Sequence, residues 1–300
     1  MFCGLYRVIK KGVRGGVTRY RCVACGKSFS NNRRKKKLAK KLWGEYVWDK
    51  QTRKQLGRRY QKSNKTIERI LETHLLPEKK HDPRSLVAVL DATYFGRRNG
   101  ILVVRDPNQK ENLHAHAIIS ETKVEYQKAR QDLELLGYKL QAVVLDGKRG
   151  IPSVFKDMPV QICQFHQWQI VRRKLTTKPK LPSHQALLSI GRKISKITEP
   201  EMKKLLEIFE KLFRADLNEK TYILGTRRWR HTHAKLRSAY GSLVRNLPFL
   251  YTCQKYPELH IPNTTNSLDG SFNVLKMFVN IHRGLRPEKR LKVIKELLRC

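Results

Sequence analysis

The stretch Ser85-Leu-Val-Ala-Val-Leu-Asp91 is an apolar run that ends on a carboxylate. A second run of the same kind, Leu140-Gln-Ala-Val-Val-Leu-Asp146, also ends on aspartate. Short apolar runs rich in β-branched residues predict buried strands. Because the end of a strand is a rigid place from which to direct a side chain, the two aspartates are predicted to aim at a shared ion.

The segments around these two runs predict an α/β fold. Strand patterns occur at residues 86–94, 101–105 and 114–120, a helix pattern at 122–136, and further strands at 139–145 and 160–163. Three strands in hairpin-like succession, followed by helix, strand and helix, are the order of an RNase H-like mixed sheet. The first and fourth strands then lie side by side and present Asp91 and Asp146 together.

A third carboxylate, Asp269, lies in Pro262-Asn-Thr-Thr-Asn-Ser-Leu-Asp-Gly, which is rich in helix-capping side chains. The pattern predicts a helix that begins at Asp269 and packs against the strands that carry the other two acids. Asp91, Asp146 and Asp269 would then bind two Mg²⁺ or Mn²⁺ ions through hard oxygen ligands, with Asp91 bridging both. The alternative for each residue alone is a surface or helix-capping carboxylate.

The composition indicates the partner. The chain has 64 Lys and Arg against 25 Asp and Glu, a formal charge of +39. Such a charge repels itself unless a polyanion shares the surface, so nucleic acid is the expected partner. No apolar stretch approaches the roughly 18 to 20 residues that span a bilayer, so no membrane contact is predicted. The expected location is cytoplasmic and nucleoid-associated.

Residues 1–32 predict a partial zinc ribbon. Cys22-Val-Ala-Cys25 has the spacing with which two thiolates bind one Zn²⁺, and Cys3 is a third candidate ligand. If Cys3-Gly4 ends a second such unit, its other cysteine would fall before Met1. The alternative is a set of surface cysteines without metal. In the cytoplasm, the expected location, the cysteines are expected to be reduced thiols or metal ligands rather than disulfides.

Residues 33–82 predict a helix-turn-helix module that binds DNA. A short helix follows Thr52, and Ser63 is an N-cap for a second helix that begins at Asn64. Four polar residues are predicted to face a DNA groove and its phosphates, namely Lys62, Asn64, Lys65 and Arg69. The alternative is a helical linker with a solvated, charged face.

The catalytic core is predicted to span residues 83–178 and 258–300, interrupted by an all-helical insertion at 179–257. Within the insertion, Trp229 is a candidate to stack on a flipped or terminal base, beside the phosphate-binding Arg230. The alternative is a tryptophan buried in a helical core.

The motif Cys163-Gln-Phe-His166 follows the last strand pattern. His166 is predicted to orient a carboxylate or a phosphate near the ions, with some effect on catalysis. It could equally be a histidine satisfied by a backbone carbonyl. Cys163 lacks the partners of a zinc site and is predicted to be a small buried residue.

The order Asp91, Asp146, Cys163-Gln-Phe-His166, Pro262 to Gly270 and His282-Arg-Gly-Leu285 resembles the DDE transposases of bacterial insertion sequences in the Mutator-like superfamily. The resemblance covers the whole chain. It implies DNA cleavage and strand transfer at the ends of a mobile element, with terminal inverted repeats and target DNA as partners and a homodimer or higher oligomer on DNA. The family usually has glutamate at the third acidic position, where this chain has Asp269.

Two other functions stay open at this stage. One is a decayed or domesticated transposase that binds DNA without cutting it, for which the missing zinc ligand and the shorter Asp269 side chain argue. The other is a structure-specific nuclease on the same fold, because a fold alone does not determine activity.

Overall fold

A computed structural model describes residues 7–15, 17–30, 33–282 and 284–299. The chain divides into two units, one of residues 1–77 with 278–285, the other of residues 78–277 with 286–300. Within the described ranges, no helix is both long enough and apolar enough to cross a membrane.

The first unit contains a small antiparallel sheet followed by three helices. The strands are β1 (Val8–Arg14), β2 (Val17–Cys22) and β3 (Ser28–Ser30), in the order β1-β2-β3. The helices are α1 (Arg33–Val47), α2 (Arg53–Arg59) and α3 (Asn64–Thr73). Their apolar faces bury one another through Leu42, Leu56, Ile67 and Leu71.

Side-chain caps define where α2 and α3 begin. The hydroxyl of Thr52 accepts from the backbone N–H of Gln55, and the hydroxyl of Ser63 accepts from that of Thr66. A Cβ on Gly57 would lie 2.8 Å from the carbonyl oxygen of Lys62, so glycine lets the turn after α2 pack closely against that helix. The predicted N-cap at Ser63 is confirmed.

The second unit is built on a mixed five-stranded sheet, which confirms the predicted α/β class. Its elements are β4 (Ser85–Tyr94), β5 (Gly100–Asp106), β6 (Glu111–Ile118), α4 (Lys123–Leu135), β7 (Lys139–Leu145) and β8 (Val160–Ile162). The strand order is β6-β5-β4-β7-β8. β5 pairs antiparallel with both β4 and β6, whereas β7 pairs parallel with β4 and β8. Helix α4 buries Tyr126, Ala129 and Leu133 against one face of this sheet.

A mainly helical segment follows the sheet. Its helices are α5 (Gln164–Leu175), α6 (Pro182–Arg192), α7 (Glu199–Leu212), α8 (Arg214–Asn218), α9 (Ala234–Leu250) and α10 (Thr252–Lys255). They form a second core around Val171, Leu187, Met202, Phe209 and Leu243.

The prediction that the insertion is all-helical is wrong at one place. Strands β9 (Lys220–Tyr222) and β10 (Trp229–His231) form an antiparallel hairpin between α8 and α9. Threonine, tyrosine and tryptophan favour strands, and Gly225, at a φ of +74°, supplies the left-handed backbone of the connecting turn.

The last two helices are α11 (Asn266–Ile281) and α12 (Pro287–Leu298). Helix α11 begins at Asn266 rather than at Asp269 as predicted, because the carbonyl of Thr265 accepts the first helical hydrogen bonds from Leu268 and Asp269. Asp269 therefore lies within the first turn of the helix.

Candidate metal centre and nucleic-acid surfaces

Asp91 lies within β4, three residues before its end, and Asp146 directly follows β7, the neighbouring parallel strand. Val89 of β4 is paired with Val144 of β7, and each aspartate stands two residues farther along its own strand direction. The Asp91 side chain is buried, and its Oδ1 accepts a hydrogen bond of 2.8 Å from the backbone N–H of Ala92. The parallel register is thus the reason that two segments distant in sequence present carboxylates side by side, toward the C-terminal ends of β4 and β7.

Asp146 is half-buried and is fixed by the turn that follows it. Its Oδ1 accepts a hydrogen bond of 2.9 Å from the backbone N–H of Lys148. The intervening Gly147 has a φ of +84°, and a Cβ there would lie 2.7 Å from the Cγ2 of Ile162. Only glycine fits this turn without displacing β8.

Helix α5 is held in place by buried amide side chains. The Nε2 atoms of Gln161 and Gln164 both donate to the carbonyl oxygen of Leu250, each at 2.8 Å. Gln167 donates to Ser242 at 3.0 Å and accepts from Asn246 at 2.7 Å. Because buried amides left unpaired are costly, these bonds fix the position of α5 on α9.

The segment before α11 docks on the first turn of α5. The backbone N–H of Gln164 donates to the carbonyl of Asn263 at 2.9 Å, and the Nδ2 of Asn263 donates to the Oε1 of Gln164 at 3.1 Å. The backbone N–H and the hydroxyl of Thr265 both point at the sulfur of Cys163, at 3.3 and 3.4 Å. These contacts bring Asp269 next to the sheet edge that carries Asp91.

Three side chains converge at this point. The candidate ligand atoms of Asp91, His166 and Asp269 all lie within 4.8 Å of one another, close enough to hold one metal ion. The Nε2 of His166 lies 3.9 Å from the Oδ1 of Asp269. Asp146 is not a member of this group, although its charge helps to raise the pKa of Asp91.

The pKa values of Asp91 and His166 are both shifted from their ordinary values. Burial raises the pKa of Asp91 to about 7, with Asp146 and Asp269 adding to the rise and His166 opposing it. The hydrogen bond with Cys163, together with the charges of Asp91 and Asp269, raises the pKa of His166 to about 9 despite its burial. A pKa of about 9 makes His166 an imidazolium at neutral pH, beside Asp269 and beside an Asp91 carboxyl whose pKa of about 7 leaves it about half protonated.

Cys163 is buried, as predicted, but it also has a specific contact role. Burial acts to raise the pKa of its thiol, but the hydrogen bonds from His166 and Thr265 together lower it. Its sulfur caps α5 by accepting from the backbone N–H of His166.

Sequence reasoning missed two residues near the site. Thr265 links the cluster, because its Oγ1 lies 3.3 Å from both the Nδ1 of His166 and the Oδ2 of Asp269. Glu121 is an additional acid whose pKa is raised, first by burial and then by the charge of Asp146. Local sequence periodicity does not mark either residue, because the contacts of Thr265 with Cys163 and His166 and the interaction of Glu121 with Asp146 join segments far apart in sequence.

The two cysteines of the predicted zinc knuckle lie on a tight turn. The backbone N–H of Gly26 donates to the carbonyl of Cys22, and that of Cys22 donates to the carbonyl of Lys27, each at 3.0 Å. Cys3 lies outside the described residues. No disulfide joins the described cysteines, namely Cys22, Cys25, Cys163 and Cys253.

The residues predicted to contact DNA are at the surface of each unit. In the first unit, the side chains at the turn and on the outer face of α3 are exposed, namely Lys62, Asn64, Lys65 and Arg69. In the second unit, Trp229 pairs across the β9–β10 hairpin with Tyr222. The exposed fraction of Trp229 is 44%, and the Nζ of Lys220 lies 4.0 Å from the centroid of its ring. Trp229 is therefore not a core residue, and Arg230 beside it is exposed.

No protein-family model matches the chain, and no curated protein matches it significantly. The geometry of the Asp91–His166–Asp269 cluster and the charge of the chain therefore carry the functional conclusion.

Proposed function

We propose that the protein is a DNA transposase of the DDE or DDD type, which cleaves DNA strands and transfers them with the help of divalent metal ions. The observation that carries the proposal is the convergence of Asp91, His166 and Asp269 from three separate elements. The strand order, with three antiparallel strands followed by two parallel ones, is the order expected of an RNase H-like core. The charge of +39 supports DNA as the substrate.

The donor set of the cluster fits a divalent cation. Its two carboxylates supply the hard oxygen ligands that Mg²⁺ and Mn²⁺ prefer. Asp91 and Asp269 would hold one ion, and Asp146, at the same sheet edge, would contribute to a second. When bound, such ions activate the attacking water or 3′-hydroxyl and stabilise the leaving oxygen in a phosphodiester displacement.

The protein's own residues contribute binding and orientation. Protonated His166 can donate from Nε2 to a phosphate oxygen near Asp91 and Asp269. The hydroxyl of Thr265 contacts the other ring nitrogen of His166, Nδ1, and so holds the ring in place. Lys148 and Arg149, exposed beside Asp146, can bind the flanking phosphates.

The first unit and the hairpin are proposed to bind DNA outside the cleavage centre. α2 and α3 form a helix-turn-helix module that positions the terminal inverted repeats, and the partial zinc ribbon before it supports that contact. The Trp229 hairpin stacks on an unpaired base. The protein acts as a homodimer or higher oligomer, because two element ends must be joined to one target.

The proposal is tested by nicking of supercoiled plasmid DNA in Mg²⁺, Mn²⁺ and Ca²⁺. We expect nicking in Mn²⁺ and weaker nicking in Mg²⁺, but none in Ca²⁺. Asp91→Asn should abolish it, since the amide keeps the shape but loses the charge that binds cations. Asp49→Asn, at an exposed position of the first unit, is the matched control and should nick like the parent.

The same assay separates the alternatives. A parent protein that binds DNA but nicks in none of the three metals would be a DNA-binding protein derived from a transposase. Preference for branched over linear DNA would indicate a structure-specific nuclease.

A further inference from the structure

A second feature is built on the first turns of α5, which also carry His166 of the metal cluster. It is a cavity of about 300 Å³. Its wall is formed by the start of α5, by the end of α6 with the turn that follows it, and by the residues at the start of α11. The residues that shape it are Phe165, Trp168, Gly191, Arg192, Ser195 and Asn266.

Aromatic rings and a cation form much of its wall. Trp168 is half-buried, and Phe165 is exposed to 42%. A Cβ on Gly191 would lie 3.1 Å from the Trp168 ring, so the absence of a side chain there lets the indole lie against α6. The guanidinium carbon of Arg192 lies 6.0 Å from the centroid of the same ring. Flat aromatic and guanidinium groups are the surfaces on which nucleobases stack.

The rest of the wall can recognise the edge of a base. Ser195 and Asn266 are exposed at the cavity and carry a hydroxyl and an amide. Together these side chains provide hydrogen-bond donors and acceptors. A mostly apolar cavity with a few polar groups is typical of a ligand site.

The cavity and the metal cluster are built from the same two segments. Phe165 directly precedes His166 on α5, and Asn266 directly follows Thr265. Because Gln164 and Asn263 hydrogen-bond to each other, the two segments hold one fixed arrangement. A phosphate at the cluster would therefore place a neighbouring base within reach of the cavity.

We propose that this cavity receives one unstacked nucleobase of the DNA strand whose phosphate lies at the Asp91–His166–Asp269 cluster. The proposal rests on the function proposed above and adds a base-binding subsite to it. Such a subsite draws the strand out of the duplex and holds the neighbouring phosphate in place.

The experiment measures binding of dAMP and of 2-deoxyribose 5-phosphate to the full chain by ligand-observed NMR, at high salt and without divalent metal. The two probes carry the same phosphate, so their difference reports the base. We expect dAMP to bind roughly tenfold more tightly, in line with the stacking of one base on aromatic side chains.

Two variants locate the binding, and a third is the control. Ser195→Phe fills the cavity from an exposed position and should weaken dAMP binding roughly tenfold, an effect of the size expected for one stacked base. Ser189→Phe places the same ring at an exposed position of α6 that does not line the cavity, and it should bind dAMP like the parent. Phe165→Ala should weaken dAMP binding without adding bulk.

Equal binding of the two probes, or unchanged dAMP binding in both Ser195→Phe and Phe165→Ala, would overturn the subsite. Because the readout needs neither metal nor cleavage, it is independent of the nicking assay. A parent that nicks plasmid but does not bind dAMP keeps the proposed function and loses the subsite. A parent that binds dAMP as expected but does not nick keeps the subsite and loses the cleavage proposal.

Discussion

The Nε2 of His166 lies 3.9 Å from the Oδ1 of Asp269. The pKa of His166 is raised to about 9, so its ring is positively charged at neutral pH. This charge lies close to Asp91 and Asp269, two acids that would otherwise repel each other. The imidazolium thus balances Asp91 and Asp269 when metal is absent. Metal binding to the carboxylates competes with this charge, and a histidine that becomes a ligand must release its proton.

The third acid is tested by two substitutions at Asp269. Asp269→Asn should lose Mn²⁺-dependent nicking, because an amide oxygen is a much weaker ligand than a carboxylate. Asp269→Glu should retain or improve nicking, since glutamate is the usual residue at this position in the family that the sequence resembles. The measurement is the initial rate of plasmid nicking. A fully active Asp269→Asn variant would place the third ligand elsewhere.

Thr265 is predicted to position His166 and Asp269 through its hydroxyl. Thr265→Val keeps the shape but removes the hydroxyl, whose single hydrogen can be donated to Asp269 or to Cys163 and whose oxygen lies 3.3 Å from the Nδ1 of His166. We expect a stability loss of about 0.5 to 1.5 kcal/mol, the net worth of one hydrogen bond, and a larger relative loss of nicking rate. Thr265→Ser retains the hydroxyl and should recover most of the activity. Equal activity of the valine and serine variants would contradict the positioning role.

The buried carboxyl of Asp91 predicts a pH-dependent stability. Its pKa is raised to about 7 in the folded protein, against about 4 in an unfolded chain. The folded state therefore binds more protons over this window, and the free energy of unfolding falls as pH rises from about 4 to about 7 on account of this group. Asp91→Asn removes the effect.

Urea unfolding of parent and Asp91→Asn without metal checks this expectation. The stability of the variant relative to the parent should increase between pH 5 and pH 8, by about 1.4 kcal/mol for each unit of pKa shift that lies within this range. Asp49→Asn provides the reference for an exposed aspartate. A relative stability of Asp91→Asn that is the same at both pH values would show that Asp91 is not the group that titrates.

The exposed face of α3 is predicted to bind DNA phosphates. Replacing Lys62, Lys65 and Arg69 with alanine should reduce the dependence of log K on log salt by about 0.9 for each phosphate that the variant no longer neutralises. The matched control replaces three exposed lysines of α7, namely Lys203, Lys204 and Lys211. Fluorescence anisotropy with a duplex at several salt concentrations gives both slopes. Equal slopes for the two triple variants would remove α3 from the DNA interface.

Trp229 is predicted to stack on an unpaired base. Trp229→Ala should weaken binding of a single-stranded oligonucleotide by about 1 to 3 kcal/mol and affect a blunt duplex less. Tyr256→Ala removes another exposed aromatic ring outside the hairpin and should leave both affinities near the parent's. Equal losses for single strand and duplex would point to a general charge or folding effect.

Local patterns were sufficient to predict the strands of the sheet that carry or precede the two acids. The runs that end at Asp91 and Asp146 form β4 and β7, because β-branched apolar residues favour strands that are buried on both faces. The cap at Ser63 and the short strand at Val160 follow from equally local chemistry.

The assembly of the cluster depends on contacts that no local pattern contains. Thr265 and Asp269 are one helical turn apart, but Thr265 reaches Cys163 and His166 only after the start of α11 has docked on α5. The hairpin around Gly225 was missed because its strands are only three residues long, too short for a period to appear. Trp229 was weighed as a helix residue for the same reason.

The pairing of Gln164 with Asn263 also sets an order of events during synthesis. Asp91 and Asp146 leave the ribosome before the Asn263 segment and Asp269, so their strands can pair first. A nascent chain that stops short of Asn263 therefore displays a finished sheet edge with two of its acids and lacks the third. In a protein proposed to cut DNA, the metal cluster is therefore incomplete until the segment from Asn263 to Asp269 has been synthesised.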